Sequence, residues 1–233
     1  MNLILIPARG GSKRIPKKNI KFFKGKPIIE WSIKQALNTN TFNKVVVSTD
    51  DDEIARISKL AGAEVPFIRP KEFSDDFSTT SEVVKHAIKW FKKEGIIFEN
   101  VCCLYPTAPF VKASYLSSAL RDLKNCKKDI FIVSSTSYPF PIQRSFYLDE
   151  NGFSRMFDKN LFESRSQDLK KAYHDAGQFY LASTNTWLSK ENILEGCKPF
   201  LLPRMFVQDI DTLEDWDNAE IIFDLVKKQS RNK

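Results

Sequence analysis

The sequence predicts an α/β fold: a Rossmann-like, mainly parallel twisted sheet with helices on both faces. Two observations carry this. Leu3–Ile6, Lys44–Thr49, Asn100–Tyr105 and Asp129–Ser135 are near-continuous apolar runs rich in β-branched residues, the pattern of strands buried on both faces. Segments with helical spacing lie between them, and strand–helix alternation is the signature of a parallel sheet. With 233 residues, 42% of them hydrophobic, the chain can fill one core. Residues 1–233 are therefore expected as a single domain.

Each helix carries its own boundary signal. Pro27–Asn38 opens on Pro, whose fixed φ suits a first turn. Asp51–Leu60 starts with carboxylates that favour the positive end of a helix dipole. In Thr79–Lys93, Thr79 and Glu82 form a capping-box pattern, and Gly95 lies just past the end. Val83, Val84, Ala87, Ile88 and Phe91 make its apolar stripe. Ala113–Asn125 repeats that spacing at Leu116, Ala119, Leu120 and Leu123.

The pattern changes at Tyr138. Pro139 and Pro141 interrupt it, and Asn151-Gly152 between Ser145–Leu148 and Phe153–Phe157 reads as a hairpin turn. Residues 138–173 are expected as an inserted arm. Phe179–Ala182 and Phe200–Leu202 then return to the sheet. A last helix, Leu213–Lys228, is capped by Thr212 and is expected to bury Leu213, Trp216, Ala219, Phe223 and Val226. The basic tail, Lys227–Lys233, is expected to fray.

The net charge of +7 fits an anionic partner without choosing among nucleic acid, nucleotides, phosphates and acidic sugars. No apolar run approaches the roughly 18–20 residues that cross a bilayer. The start, MNLILIPARG, has too short an apolar stretch for a secretory signal, so a cytoplasmic location is expected. His86, His174, Cys102, Cys103, Cys126 and Cys197 show no zinc-type spacing. Cys102 and Cys103 read as buried thiols, and the lack of a paired-cysteine framework fits a reducing compartment.

The densest chemical signal is PARGGSKRIPKKN, Pro7–Asn19. From Arg9 to Lys26 there are eight basic residues and no acidic one. Gly10 and Gly11 allow a tight turn and close approach to a ligand, and successive N–H groups there can form an anion nest. Arg9, Lys13 and Lys18 could neutralise phosphate oxygens. The loop follows a first parallel strand, where ligands bind in open α/β sheets. Neither the Walker spacing nor G-x-G-x-x-G is present. A solvated basic surface loop is the plainer alternative.

An acidic counterpart lies late in the chain, in QDIDT, Gln208–Thr212. In an extended segment Asp209 and Asp211 share a face while Ile210 points to the core. Two carboxylates suit magnesium, a hard cation that keeps several waters. Alternatively, Asp211 or Thr212 merely caps the last helix. The rival cluster Asp50-Asp51-Asp52-Glu53 reads mainly as a helix start, although Asp50 at a strand end could touch a ligand.

IPARGGSKRIPKKNIK, VVVSTDDDEIA, FIRPKEFSDD, YPTAP and QDIDT, in this order, resemble the cytidylyltransferases that activate nine-carbon sugar acids. The similarity runs over nearly the whole chain. AYHDAGQFY (Ala172–Tyr180), and Tyr105 ahead of Pro106-Thr107, look like the pseudaminic acid branch used for bacterial surface glycans. CMP-N-acetylneuraminate or CMP-legionaminate synthesis is the runner-up, and a non-catalytic RNA- or nucleotide-binding module is the alternative of another class.

The resemblance implies a glycosyltransferase-A-like fold and a reaction in which the sugar's anomeric hydroxyl attacks the α-phosphorus of CTP, releasing pyrophosphate. It implies a nucleotide loop of Ala8, Arg9, Gly10, Ser12, Lys13, Lys18 and Asn19. Arg69, Asp76 and Thr80, with Tyr105 and Thr107 nearby, would hold the cytidine. Asp209 and Asp211 would hold magnesium. Arg165, His174, Asp175, Gln178 and Phe179 would meet the sugar, Arg165 taking the carboxylate in preference to Lys170 or Lys171, although for Tyr173, Phe179 and Tyr180 core packing is the default reading of an aromatic. Arg9, Lys18 and Asp211 would carry catalysis, with His174 a possible base. It also implies a homodimer joined through the arm, with no nucleic acid or membrane partner.

Overall fold

The structure, a computed structural model, describes residues 1–126, 129–160 and 163–231. Its elements in chain order are β1 (Asn2–Pro7), β2 (Phe22–Phe23), β3 (Lys26–Pro27), α1 (Ile28–Leu37), β4 (Lys44–Ser48), α2 (Asp52–Leu60), α3 (Thr80–Lys93), β5 (Asn100–Leu104), α4 (Ala113–Lys124), β6 (Ile132–Ser137), β7 (Phe146–Leu148), β8 (Ser154–Met156), β9 (Tyr173–Ser183), α5 (Thr184–Ser189), β10 (Lys198–Leu201) and α6 (Leu213–Arg231).

The apolar runs pair as their composition demands. Six strands form one sheet in the order β10-β6-β9-β5-β1-β4. β1 pairs parallel with β4 and β5, and β10 pairs parallel with β6. β9 alone runs antiparallel, between β5 and β6. Alternate residues of each strand feed opposite faces. On one face Ile4, Ile6, Val47, Cys102 and Leu104 pack against Ile29 and Ile33 of α1 and Leu116 and Leu120 of α4. On the other Leu3, Leu5, Val46, Val101 and Cys103 meet Val84, Ala87 and Phe91 of α3 and Trp187 of α5. Each such side chain removed from water contributes about 1.5–3 kcal/mol. Cys102 and Cys103 are wholly buried, as expected, and burial pushes both thiols far up.

The Thr79 side chain accepts from the Glu82 N–H, and the Glu82 carboxylate accepts from the Thr79 N–H, so the capping box is complete. Asp51 caps α2 by accepting from the Ile54 N–H at 2.9 Å, so the acidic run 50–53 starts a helix.

Four expectations are corrected. β6 begins at Ile132, because β10 engages it there, and reaches Ser137, because Tyr173 pairs with Ser137. β9 starts at Tyr173 rather than Phe179, which ends the arm one residue earlier. In α6, Leu213 is exposed and Phe223 and Val226 are half-buried, since only Trp216 and Ala219 point squarely into the core. Residues Lys227–Arg231 continue α6 instead of fraying, and Asn232 and Lys233 lie outside the described residues.

A third cluster positions the site. Ile15, Phe23, Ile28, Phe110, Ile210, Trp216 and Ala219 bury one another apart from the two sheet faces. Phe23 sits on the short β2–β3 hairpin, whose turn residues Lys24 and Gly25 both have positive φ (49° and 91°), the geometry of the tight primed turn. Its ring meets Trp216 and Phe223 edge-on at 5.5 and 5.4 Å. The basic loop, through Ile15, and the late acidic segment, through Ile210, thus share one small core.

The arm carries the expected hairpin. β7 and β8 pair antiparallel from Phe146↔Met156 to Leu148↔Ser154. Phe146, Leu148, Phe153 and Phe157 are exposed on it.

Candidate active site

Backbone hydrogen bonds fix the basic loop at the carboxyl end of β1. The Ala8 N–H donates to the Ser48 carbonyl at 2.9 Å, and Ala8 itself is buried. The Gly10 N–H donates to Asp50 Oδ1 at 3.0 Å. A Cβ at Gly10 would lie 2.7 Å from an Asp51 carboxylate oxygen, so only glycine fits there. Asn19, buried, donates from its amide to the Arg9 carbonyl at 2.9 Å. Asp50 therefore serves the loop's architecture.

The loop forms one wall of a cleft of about 360 Å³. Arg9, Ser12, Lys13, Lys18 and Asn19 line it, opposite Arg69, Asp76, Thr80, Tyr105 and Thr107. Ten of the residues expected around a nucleotide thus face one space. Arg69 is 3% exposed; it donates to Ser74 Oγ at 3.0 Å and lies 3.8 Å from Asp50. Burial pulls its pKa down, and the Asp50 carboxylate opposes that shift. Asp76 bridges Arg9 (3.0 Å) and Lys13 (2.5 Å), and the Lys13 hydrogen bond holds its carboxyl below the usual range. Arg14, Phe73, Asp75 and Ser78 also line the cleft. The sequence argument did not single them out, although Arg14 belongs to the basic run.

The late segment is tied to this cleft through two of its lining cations, Lys18 and Arg14, although Asp209 and Asp211 do not line it. Lys18 Nζ donates to the Ile210 carbonyl at 2.7 Å and lies 3.3 Å from Asp211 Oδ1. Arg14 contacts the same oxygen at 2.8 Å. Thr212 caps α6: its Oγ1 accepts from the Asp215 N–H at 3.2 Å, while Asp215 Oδ2 accepts from the Thr212 N–H at 2.8 Å. The Asp211 side chain is therefore left to the cations and not spent on the helix. Asp209 stands over Gly177, where an added Cβ would meet its carboxylate at 3.4 Å. Burial first, then the Asp211 charge, raise the Asp209 pKa.

Among the described residues no three His, Cys, Asp or Glu side chains gather as a metal cage. Asp209 and Asp211, two hard oxygen donors whose crowding a cation would relieve, fit magnesium completed by substrate phosphates and water.

The expected sugar residues divide. Asp175 and His174 lie at the bulged half of β9, where pairing with β6 slips between Val133 and Ser135. Gly177 there has φ +61°, a glycine conformation typical of such bulges. The Ser134 hydroxyl accepts the Gln178 and Phe179 N–H groups, 3.2 and 2.9 Å away, that the slip leaves unpaired. Tyr180 donates its hydroxyl to Asp175 Oδ2, and the Gly177 N–H donates to Oδ1 at 2.8 Å. His174 Nδ1 lies 2.8 Å from the Asp175 carbonyl oxygen, its ring against Tyr138.

Neither Asp175 nor His174 lines the cleft described above, and the other three also stand outside it. Phe179 is fully buried and packs on Phe200 at 5.7 Å, because the alternation of β9 turns it into the core. Gln178, 2% exposed, donates to the Phe206 carbonyl at 2.5 Å and so braces the turn before QDIDT. Arg165 lies on the arm in an ion pair with Asp168 at 2.8 Å and does not line the cleft described above.

The cytidylyltransferase family model matches residues 3–208, most of the chain. The chain belongs to the cytidylyltransferase family. Among its relatives in that family is the pseudaminic acid cytidylyltransferase of Campylobacter jejuni subsp. jejuni serotype O:2, 46% identical over 95% of this chain and 96% of that one. The CMP-N,N'-diacetyllegionaminic acid synthase of Legionella pneumophila is 31% identical over 96% of each chain. The solved structure of a CMP:2-keto-3-deoxy-manno-octonic acid synthetase complexed with CTP shares this family member's fold, with a TM-score of 0.71 at 14% identity over 96% of this chain and 98% of that one. That structural match bears out the α/β nucleotidyltransferase architecture. Among the described residues no helix is long and apolar enough to cross a membrane.

Proposed function

We propose that this cytidylyltransferase transfers CMP from CTP to the anomeric hydroxyl of pseudaminic acid, releasing pyrophosphate. The observation that carries the reading is the meeting of the basic loop with the late carboxylates through Lys18. The identity to the Campylobacter enzyme over nearly the full chain supports the choice of sugar. The legionaminic acid synthase, similar over the same length, keeps the CMP-legionaminate reading as the second one.

The chain's own residues do the positioning. Arg9, Lys13 and Lys18 would hold the triphosphate and stabilise the charge that develops on it, which is where most of the rate comes from in such transfers. Arg69 and the Thr80–Tyr105 pair would seat the nucleoside. Asp209 and Asp211 would hold magnesium, which when bound spreads charge over the phosphate oxygens. Asp175 and His174 would meet the sugar acid. With Arg165 out on the arm, we infer that it meets the sugar carboxylate across a homodimer whose arms, residues 138–172, cover their exposed aromatic hairpins on the neighbouring subunit. We place the enzyme in the cytoplasm.

The test is pyrophosphate release with CTP and magnesium over a panel of pseudaminic, legionaminic and N-acetylneuraminic acids. Fastest turnover with pseudaminic acid is expected. Silence across the panel, with tight salt-sensitive RNA binding instead, would replace the enzyme reading by a binding one.

A further inference from the structure

Thr80, Tyr105, Tyr180 and Asp175 form one line of polar groups from the cleft wall into β9. The Thr80 and Tyr105 hydroxyl oxygens are 2.9 Å apart. The Tyr105 and Tyr180 rings meet edge to face at 5.5 Å. Tyr180 donates to Asp175 Oδ2. Thr80 and Tyr105 line the nucleotide cleft, whereas Tyr180 is 6% exposed, with its ring in the core beneath α3.

Packing alone does not explain the Tyr180 hydroxyl. Phenylalanine would fill the same space without the cost of burying a phenol, so the hydroxyl is retained for its bonds. The bond to Asp175 has a fixed direction. A phenol carries one proton, and an ionised carboxylate only accepts. The Tyr180 proton therefore goes to Asp175. Burial first, then Tyr105 and Asp175, push the Tyr180 phenol far up, so its proton stays in place at working pH.

We propose that Tyr180 is a positioning residue, which aims the Asp175 carboxylate at the sugar acid while its ring rests against the cleft-lining Tyr105. The proposal rests on the reading of Asp175 as a sugar contact given above. Gly177 shares the task from the other side, since its N–H occupies the second Asp175 oxygen at 2.8 Å.

Tyr180→Phe deletes the hydroxyl and keeps the ring. The parent, Tyr180→Phe, Asp175→Ala and the double variant are compared for pyrophosphate release with CTP and pseudaminic acid, and for thermal midpoint. Tyr180→Phe is expected to raise KM for the sugar acid roughly tenfold or more, the range for losing a hydrogen bond to a charged group. KM for CTP should stay within about threefold, because Thr80 and Tyr105 keep their own bond. The double variant should be no slower than Asp175→Ala alone, since both changes remove one and the same bond. A parental KM for the sugar acid in Tyr180→Phe, whether or not the midpoint falls, would overturn the proposal. So would losses that multiply in the double variant. A parent that releases no pyrophosphate with any nonulosonic acid refutes the functional reading first, before any variant is compared, and takes this proposal with it.

Discussion

Replacing Lys18 with Met separates what holds the cleft together from what makes it work. The change keeps an unbranched stem and removes the ammonium. In the structure that ammonium lies 3.3 Å from Asp211, in a pair whose side chains are 21% and 38% exposed. Partly exposed pairs of this kind contribute about 0.2–1 kcal/mol. The charge-assisted bond to the Ile210 carbonyl contributes about 1.5–3 kcal/mol. Together the loss comes to about 2–4 kcal/mol, against a total of roughly 5–15 kcal/mol for a domain. Most molecules therefore stay folded, and a fall in folded population accounts for less than a factor of two. Loss of a donor to the developing phosphate charge costs about 10²- to 10³-fold in turnover. Pyrophosphate release and thermal unfolding, both measured on purified Lys18→Met, read the two effects separately. A folded variant with turnover within about threefold of the parent would refute the placement of the active centre.

Further expectations concern the late carboxylates and the bulge. Gly177→Ala places a side chain at φ +61°, which costs about 1–2 kcal/mol and should lower the thermal midpoint by about 2–8 °C for a chain of this length. An unchanged midpoint would mean the bulge relaxes freely. Asp209→Asn should raise the midpoint of the metal-free protein near pH 7 while abolishing most turnover. Asp209 has a raised folded pKa, so its contribution to stability is present below the ordinary carboxylate range and lost as pH rises through the raised value. The gain from Asn should accordingly shrink as the pH falls, and a gain that is flat with pH would contradict the assignment. Chelating divalent cations should stop pyrophosphate release and leave the midpoint of the metal-free protein unmoved, as expected of a site that two carboxylates share with substrate.

The parts of the fold legible in the sequence were those encoded locally. Thr79 and Glu82 mark the start of α3 within four residues, and the β-branched runs of β1, β4 and β5 need no partner to be recognised. The first half of β9, Tyr173–Gln178, is polar and irregular, and it becomes a strand only because β6 lies beside it. The helix Thr184–Ser189 is too short to show a period, although its Trp187 is fully buried and donates to the Val101 carbonyl at 2.8 Å. The site followed the same rule. Lys18 and Asp211 were readable as a basic loop and an acidic pair in the right order along an α/β chain. Phe179 faces the core as an aromatic by default does, and its place among the sugar residues fails to account for the alternation that follows the bulge two residues earlier, at Gly177. Tyr180 passed as an ordinary core aromatic, since nothing local announces a bond to Asp175.

The small cluster of Ile15, Phe23, Ile210 and Trp216 also sets a schedule. The cations proposed to bind phosphate are synthesised almost first, yet the platform that steadies them includes side chains from the final tenth of the polypeptide. A nascent chain can pair β1 with β4 and β5 long before it owns a working cleft. Activity on the ribosome should thus switch on abruptly, when α6 emerges from the exit tunnel and docks, and nicking the chain between β10 and Ile210 should silence the enzyme while leaving most of the sheet standing.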